Sequence, residues 1–274
     1  MGEAGTQPRA PHPDLRALAI LPARIGSTRL PRKMLLAETG TPLFVHTAVN
    51  VARAASIERV VVATDSPEIV AAGETAGLEV VLTRVDHASG TDRCLEAYEI
   101  LGGRADQAWD VIVNVQGDEP TLDTGDLDRL VAAFADPEVR AATLCGAVAS
   151  EQEARAPSVV KVVRDGRGNA LYFSRAPIPA RSHARGGEAG LDVVLRHIGV
   201  YAFRPDALAQ FCALPASRLE EVENLEQLRW LEAGMSMRVL TARRVPRGID
   251  TRADYEKFVA HCAAGESMES SETR

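Results

Sequence analysis

Cysteine is scarce in this 274-residue chain and never clustered: Cys94, Cys145, Cys212 and Cys262 stand far apart. No CxxC pair or Cys/His grouping suggests zinc, and no dense spacing suggests a secreted disulfide scaffold, so a reducing cytoplasm is the expected setting. No apolar run approaches the roughly 20 residues that cross a bilayer, so no membrane span is expected. The opening fourteen residues, MGEAGTQPRAPHPD, lack the apolar stretch of a signal peptide. Residues 1–14 and 264–274 read as disordered tails. A basic excess is missing too: the net charge is −7 and the pI is near 5.5. That balance argues against binding nucleic acid or a membrane surface, and any anion site must be local. There is no GxxxxGK[ST] loop, no GxGxxG after a strand, no GxSxG and no HExxH. GRG at 166–168 sits in a hairpin turn, the wrong context for a dinucleotide site.

What is present is an ordinary soluble composition, 46% hydrophobic and 25% charged, on a chain long enough for a sizeable core. Strand-like and helix-like stretches alternate. Strands are expected at 17–21, 59–64, 78–83 and 110–116, with helices at 42–56, 66–77 and 91–103 between them. Pro42 and Ser66 mark helix starts and Gly77 a helix end. Near-continuous apolar strands in this rhythm mean a mainly parallel α/β sheet flanked by helices. After about residue 140 the rhythm changes. A strand at 141–148 is followed by a hairpin around GRG, a Gly-rich loop at 184–190 and a strand at 195–203. Helices at 205–213 and 220–233, a strand at 237–243 and a helix at 252–262 complete the pattern. The reading is one α/β domain, 15–263, carrying an inserted β-rich subdomain at about 155–203.

Five sets of residues bear chemistry. LPARIGSTRLPRK (21–33) gathers Arg24, Arg29, Arg32 and Lys33 after the first strand, without an acidic residue. Ligands of open α/β sheets bind beyond the carboxyl ends of the strands. Gly26, Ser27 and Thr28 there offer close backbone approach and donors to phosphate oxygens; a solvated surface loop is the plain alternative. VNVQGDEP (113–120) ends a strand at Gln116 and Asp118, and an Asp so placed suits Mg²⁺, although a simple Gly-Asp turn explains it equally. In RGIDTRADY (247–255), Asp250 or Thr251 caps the last helix, or Asp250 joins Asp118 as a second metal ligand. Arg175 and His197, on strand-like segments, suit a carboxylate clamp, and Glu226 and Gln227 suit sugar hydroxyls; each has an ordinary structural reading as well. DHASGTDR (86–93) sets Ser89, Gly90 and Thr91 at a helix N-terminus, as a cradle for polar base or ribose groups or as simple capping.

These blocks resemble a known family. PARIGSTRLPRK resembles the PAR-x-x-STRLP-x-K signature of the CMP-Kdo synthetases, the 3-deoxy-manno-octulosonate (Kdo) cytidylyltransferases. DHASGTDR, VNVQGDEP, ALYFSRAPIP, RHIGVY, LEQLR and GIDT resemble that family's other blocks in the same order, over about residues 17–260. The resemblance implies a nucleotidyltransferase that joins CTP and Kdo into CMP-Kdo and diphosphate for lipopolysaccharide assembly. It implies a mixed-sheet fold and a homodimer built partly through the inserted subdomain. By position, Arg24 and Lys33 contact the triphosphate beside Ser27 and Arg29, Asp118 and Asp250 hold Mg²⁺, and Ser89 and Gly90 lie near the nucleoside. Gln116, Arg175, His197, Glu226 and Gln227 face the sugar acid. Arg32 departs from a frequent glycine, Met34 from a common proline and Asn224 from an apolar residue. The alternatives are a CMP-sialate or CMP-8-amino-Kdo synthetase and, from another class, a nucleotide-binding regulator without catalysis.

Overall fold

Every residue of Ala17–Pro22 is buried, and the sheet grows outward from this strand, β1, in both directions. The computed structural model describes residues 15–27, 29–103, 108–182, 190–246 and 248–264, so the two expected tails lie outside the described residues except for Ala264. Along β1 the side chains alternate as a strand requires: Ala17, Ala19 and Leu21 enter one core, Leu18 and Ile20 the other. Burial on both faces is why the sequence there is apolar without a break.

The remaining strands are β2 (Ile57–Thr64), β3 (Glu79–Leu82), β4 (Val111–Val115), β5 (Ala141–Ala147), β6 (Lys161–Arg164), β7 (Ala170–Ser174), β8 (Leu195–Phe203) and β9 (Arg238–Thr241). Among the described residues they form one nine-stranded sheet whose main path runs β3-β2-β1-β4-β8-β5-β9. Pairings β1–β2, β1–β4, β2–β3 and β5–β9 are parallel. The sheet is nevertheless mixed, because β8 runs antiparallel between β4 and β5. The order reverses at β1 and β4, and that reversal opens a crevice at their carboxyl ends.

Helices α1 (Leu43–Val51), α2 (Pro67–Thr75), α3 (Gly90–Ile100) and α4 (Thr124–Ala132) serve the first half. The second half carries α5 (Glu151–Arg155), α6 (Pro205–Ala213), α7 (Arg218–Glu223), α8 (Gln227–Glu232) and α9 (Arg252–Ala263). Phe44 of α1 and Leu127 of α4 pack with Val113 and Val200 on one face; Tyr98 of α3, Phe211 of α6 and Trp230 of α8 pack with Ile112 and Phe203 on the other. Full burial of side chains this size contributes roughly 1.5–3 kcal/mol each.

Three expectations change. The helix expected over 42–56 ends at Val51, because Arg53 and Ala54 donate to Asn50 and Val51, tightening the chain into the turn that enters β2. The helix expected over 220–233 is two helices, broken at Asn224, whose φ of 52° lies in the left-handed region. The segment expected as an insertion contributes β8 to the middle of the main sheet, with the β6–β7 hairpin joined to it through β6–β8 pairing. Most of the Gly-rich loop, 183–189, lies outside the described residues.

Candidate active site

A cavity of about 290 Å³ opens at the carboxyl ends of β1 and β4. Three separate loops and one helix start meet there. Pro22 ends β1, and α3 approaches it through Gly90, where a Cβ would come within 3.2 Å of Pro22 Cγ. Ser89 caps α3 through a reciprocal box with Asp92. Its hydroxyl is therefore committed, accepting from Asp92 N at 3.2 Å and donating to Asp92 Oδ2 at 2.9 Å. What remains for a ligand at that end is backbone N–H groups of the first turn, which have no intrahelical partner.

The cavity brings together ten residues offered from the sequence as site residues: Arg24, Gly26, Ser27, Arg29, Lys33, Ser89, Gly90, Gln116, Asp118 and Asp250. Arg24 is exposed and makes no hydrogen bond or ion pair among the described residues. Arg29 donates to Asp250 Oδ1 at 2.8 Å. Lys33, only 9% exposed, donates to Asp118 Oδ2, to the Ile249 carbonyl at 3.0 Å and to Asp250 Oδ1 at 3.2 Å. Arg32, the fourth cation of the loop, turns away to pair with Glu68 on α2. It adopts φ 56°, the conformation that makes glycine frequent at such a position. Thr28 lies outside the described residues.

Asp250 is available because its neighbour does the capping. Thr251 accepts from Asp254 N at 3.2 Å and closes the box at the start of α9. The preceding loop is held from several sides. Buried Asp126 of α4 accepts from the backbone N–H groups of Arg243 and Arg244, and Ile249 N donates to the Asp118 carbonyl at 3.0 Å.

Arg175, His197, Glu226 and Gln227 do not line this cavity. Arg175 donates from Nε to Glu223 O at 2.8 Å and from its terminal nitrogens to Pro157 O at 3.0 Å and Asn224 O at 3.2 Å. The His197 ring lies against Phe173 and Tyr201 with Nε2 2.8 Å from Thr143 Oγ1; burial, helped by Arg196, pushes its pKa down to about 3. Glu226 accepts from Thr91 Oγ1 at 2.7 Å, and Thr91 accepts from Asn114, whose Oδ1 accepts from Gln116 at 3.4 Å. That chain leads from the cavity to Glu226. Burial raises the Glu226 pKa, and Glu226 Oε2 and Gln227 Nε2 are both buried without a hydrogen-bond partner among the described residues.

Two residues escaped the sequence reading. Arg93 lines the cavity while donating to Thr83 Oγ1 at 2.6 Å and Asp65 Oδ2 at 2.8 Å. An arginine in the first turns of a helix opposes the macrodipole, and that unfavourable position was its one signal. Glu119 follows Asp118, and burial together with the Asp118 charge pushes its carboxyl up to about 8; nothing in GDEP distinguishes it from a surface glutamate.

Asp118 Oδ2 and Asp250 Oδ1 converge on one point, the Lys33 ammonium. Two hard carboxylate oxygens at one point fit Mg²⁺, whose remaining positions are usually taken by phosphate oxygens and water. Among the described residues no group of three or more His, Cys, Asp or Glu side chains is placed to hold a metal, so such an ion needs a ligand's oxygens as well.

The parallel strands, their order reversal and this cationic cavity define an α/β protein with a crevice suited to an anionic ligand. A family model described as Cytidylyltransferase matches residues 18–238. The 3-deoxy-manno-octulosonate cytidylyltransferase of Nitratidesulfovibrio vulgaris strain DP4 is 48% identical over 242 residues, 88% of this chain and 93% of that protein. The protein of the same name from Yersinia pseudotuberculosis is 45% identical over 246 residues, 89% and 97% of the two chains. A solved structure of CMP:2-keto-3-deoxy-manno-octonic acid synthetase complexed with CTP superposes with a TM-score of 0.82 at 39% identity, covering 92% of this chain and all of that one. The chain belongs to the 3-deoxy-manno-octulosonate cytidylyltransferase family.

Proposed function

We propose that this chain transfers the cytidylyl group of CTP to the anomeric hydroxyl of Kdo, giving CMP-Kdo and diphosphate for lipopolysaccharide assembly. The observation that carries the reading is the meeting of Arg24, Arg29 and Lys33 with Asp118 and Asp250 in one cavity, in a chain related throughout to enzymes of that name. Arg24, uncommitted and exposed, takes the triphosphate and neutralises charge on the departing diphosphate, with Ser27 and Arg29 beside it. The N–H groups at the start of α3, set by Ser89 and Gly90, receive the nucleoside end. Asp118 and Asp250 hold Mg²⁺, which when bound neutralises phosphoryl oxygens.

The sugar acid lies on the side reached through Gln116. There the unpartnered Glu226 Oε2 and Gln227 Nε2 meet hydroxyls, and neutral His197 supports the wall between Phe173 and Tyr201. Arg175 keeps two guanidinium N–H groups beyond its three carbonyl bonds, enough for one carboxylate oxygen pair. Holding both substrates in one crevice supplies the orientation that phosphoryl chemistry requires. A homodimer in the cytoplasm completes the reading, with exposed Leu171 on β7 and Val222 on α7 covered by the second copy. No helix among the described residues is long and apolar enough to cross a membrane.

Diphosphate release from CTP and Mg²⁺ tests this, with Kdo, 8-amino-Kdo and sialic acid run in parallel. Release with Kdo is expected. Release with sialic acid alone overturns the substrate, and CTP binding without turnover on any of the three favours the regulator. Asp118→Asn and Asp250→Asn are each expected to abolish turnover while keeping the helical circular dichroism of the wild type.

A further inference from the structure

We propose that in the nucleotide-free protein Lys33 itself occupies the divalent-cation position, and that an arriving triphosphate exchanges it for the metal. The inference rests on the proposed assignment of Asp118 and Asp250 as the cation's ligands. An ammonium carries three N–H donors. Those of Lys33 are matched by three oxygens: Asp118 Oδ2, the Ile249 carbonyl at 3.0 Å and Asp250 Oδ1 at 3.2 Å. The ammonium therefore sits where the two carboxylates converge, and Arg29 adds a second positive partner to Asp250 at 2.8 Å. A divalent ion entering that point meets two cations; its repulsion from Lys33 is weakly screened because the Lys33–Asp118 pair is mostly buried, whereas Arg29 and Asp250 are exposed.

The choice of side chain supports the exchange. The chain has only three lysines, Lys33, Lys161 and Lys257, and arginine supplies nearly all other positive charge. A guanidinium is a wide fixed fork, whereas an ammonium is a compact charge on a flexible four-carbon stem. Only the latter fits between two carboxylates and can still swing toward a neighbouring anion. Lys161 shows the contrasting use. Its ammonium is held by three backbone carbonyls, Ala156, Val159 and Arg175, at 3.0, 2.6 and 2.6 Å, and it does not line the cavity at β1 and β4. The partners of Lys33 are charged, and Lys33 lines the cavity beside uncommitted Arg24. A triphosphate offers its ammonium a new anionic partner and leaves the carboxylates to the metal. Metal and nucleotide then raise each other's affinity by the same factor.

The test is Mn²⁺ binding without nucleotide, read from the electron paramagnetic resonance of free Mn²⁺. Lys33→Met is expected to bind Mn²⁺ about tenfold or more tighter than wild type, within the roughly 5–150-fold range usual for coupled ligands. Equal affinities overturn the exchange. Adding Asp118→Asn to Lys33→Met separates the two readings. Loss of Mn²⁺ binding leaves the ligand assignment standing, and unchanged binding refutes that assignment and the exchange with it. Should Lys33→Met not fold, wild-type protein labelled with ¹⁵N-lysine gives the answer. The Lys33 ammonium resonance is expected to move at saturating CTP without metal, and a stationary resonance overturns the proposal.

Discussion

The carboxylate of Glu119 packs against the backbone of Gly248: a Cβ built there would lie 2.6 Å from Glu119 Oε1. The other oxygen, Oε2, is shielded from solvent and has no hydrogen-bond partner among the described residues. Gly248 thus lets the strand-end loop of Asp118 and the helix-entry loop of Asp250 lie side by side. Gly248→Ala forces the Glu119 side chain or one of the loops to shift. A misplacement near 1 Å can cost about 100-fold, so the variant is expected to lose about 10- to 100-fold in kcat with its helical circular dichroism intact. Unchanged kcat means the loops have room that the close approach denies.

Arg24 gives the opposite kind of test, because it has no partner to lose among the described residues. Arg24→Ala is expected to leave the melting temperature unchanged and to lower kcat/KM for CTP by about 10²–10³, the usual loss for one charge-stabilising donor. A drop in stability with normal kinetics means the guanidinium serves the fold.

Asn224 separates α7 from α8 in a left-handed conformation, φ 52°, and its carbonyl accepts from Arg175. Asn224→Gly is expected to change stability by only a few tenths of a kcal/mol. Asn224→Leu places a branched side chain in that conformation and is expected to cost about 1–2 kcal/mol. Urea unfolding of the three proteins decides. A Leu variant as stable as wild type means the two helices have fused into one.

His197 predicts a direction with pH. Its folded pKa is pushed down to about 3 from the ordinary histidine value of about 6.5, so between those values the unfolded chain binds the proton and the folded protein does not. Stability from this group is present above pH 6.5 and is lost as pH falls toward 3, by up to about 2 kcal/mol at pH 5. His197→Gln, with no proton to bind, is expected to flatten that part of the stability–pH curve. A curve parallel to wild type assigns the acid loss to other groups.

The two halves of the site differed in how far sequence disclosed them. The cationic side lies in contiguous blocks at strand ends, and a basic loop after β1 announces itself locally. Arg175, His197, Glu226 and Gln227 carry no such signal. Which oxygen of a buried glutamate finds a partner depends on what packs above it, here α3, whose Thr91 donates to Oε1 and leaves Oε2 without one among the described residues. The split of 220–233 was visible only as an asparagine where the resembled family carries an apolar residue, since a break in the chain's direction leaves the 3.6-residue periodicity on either side intact.

Local pattern alone determined the alternation of strand and helix, the burial of β1 on both faces and the position of the cationic loop. These are short-range consequences of side-chain period, capping and backbone stiffness. The tertiary structure decided that β8 runs antiparallel between β4 and β5, because strand pairing depends on which edges meet. It also decided that Lys33 reaches an aspartate 217 positions away. A charge's partner is chosen by the packing of the loops that carry it, and no local spacing records that choice.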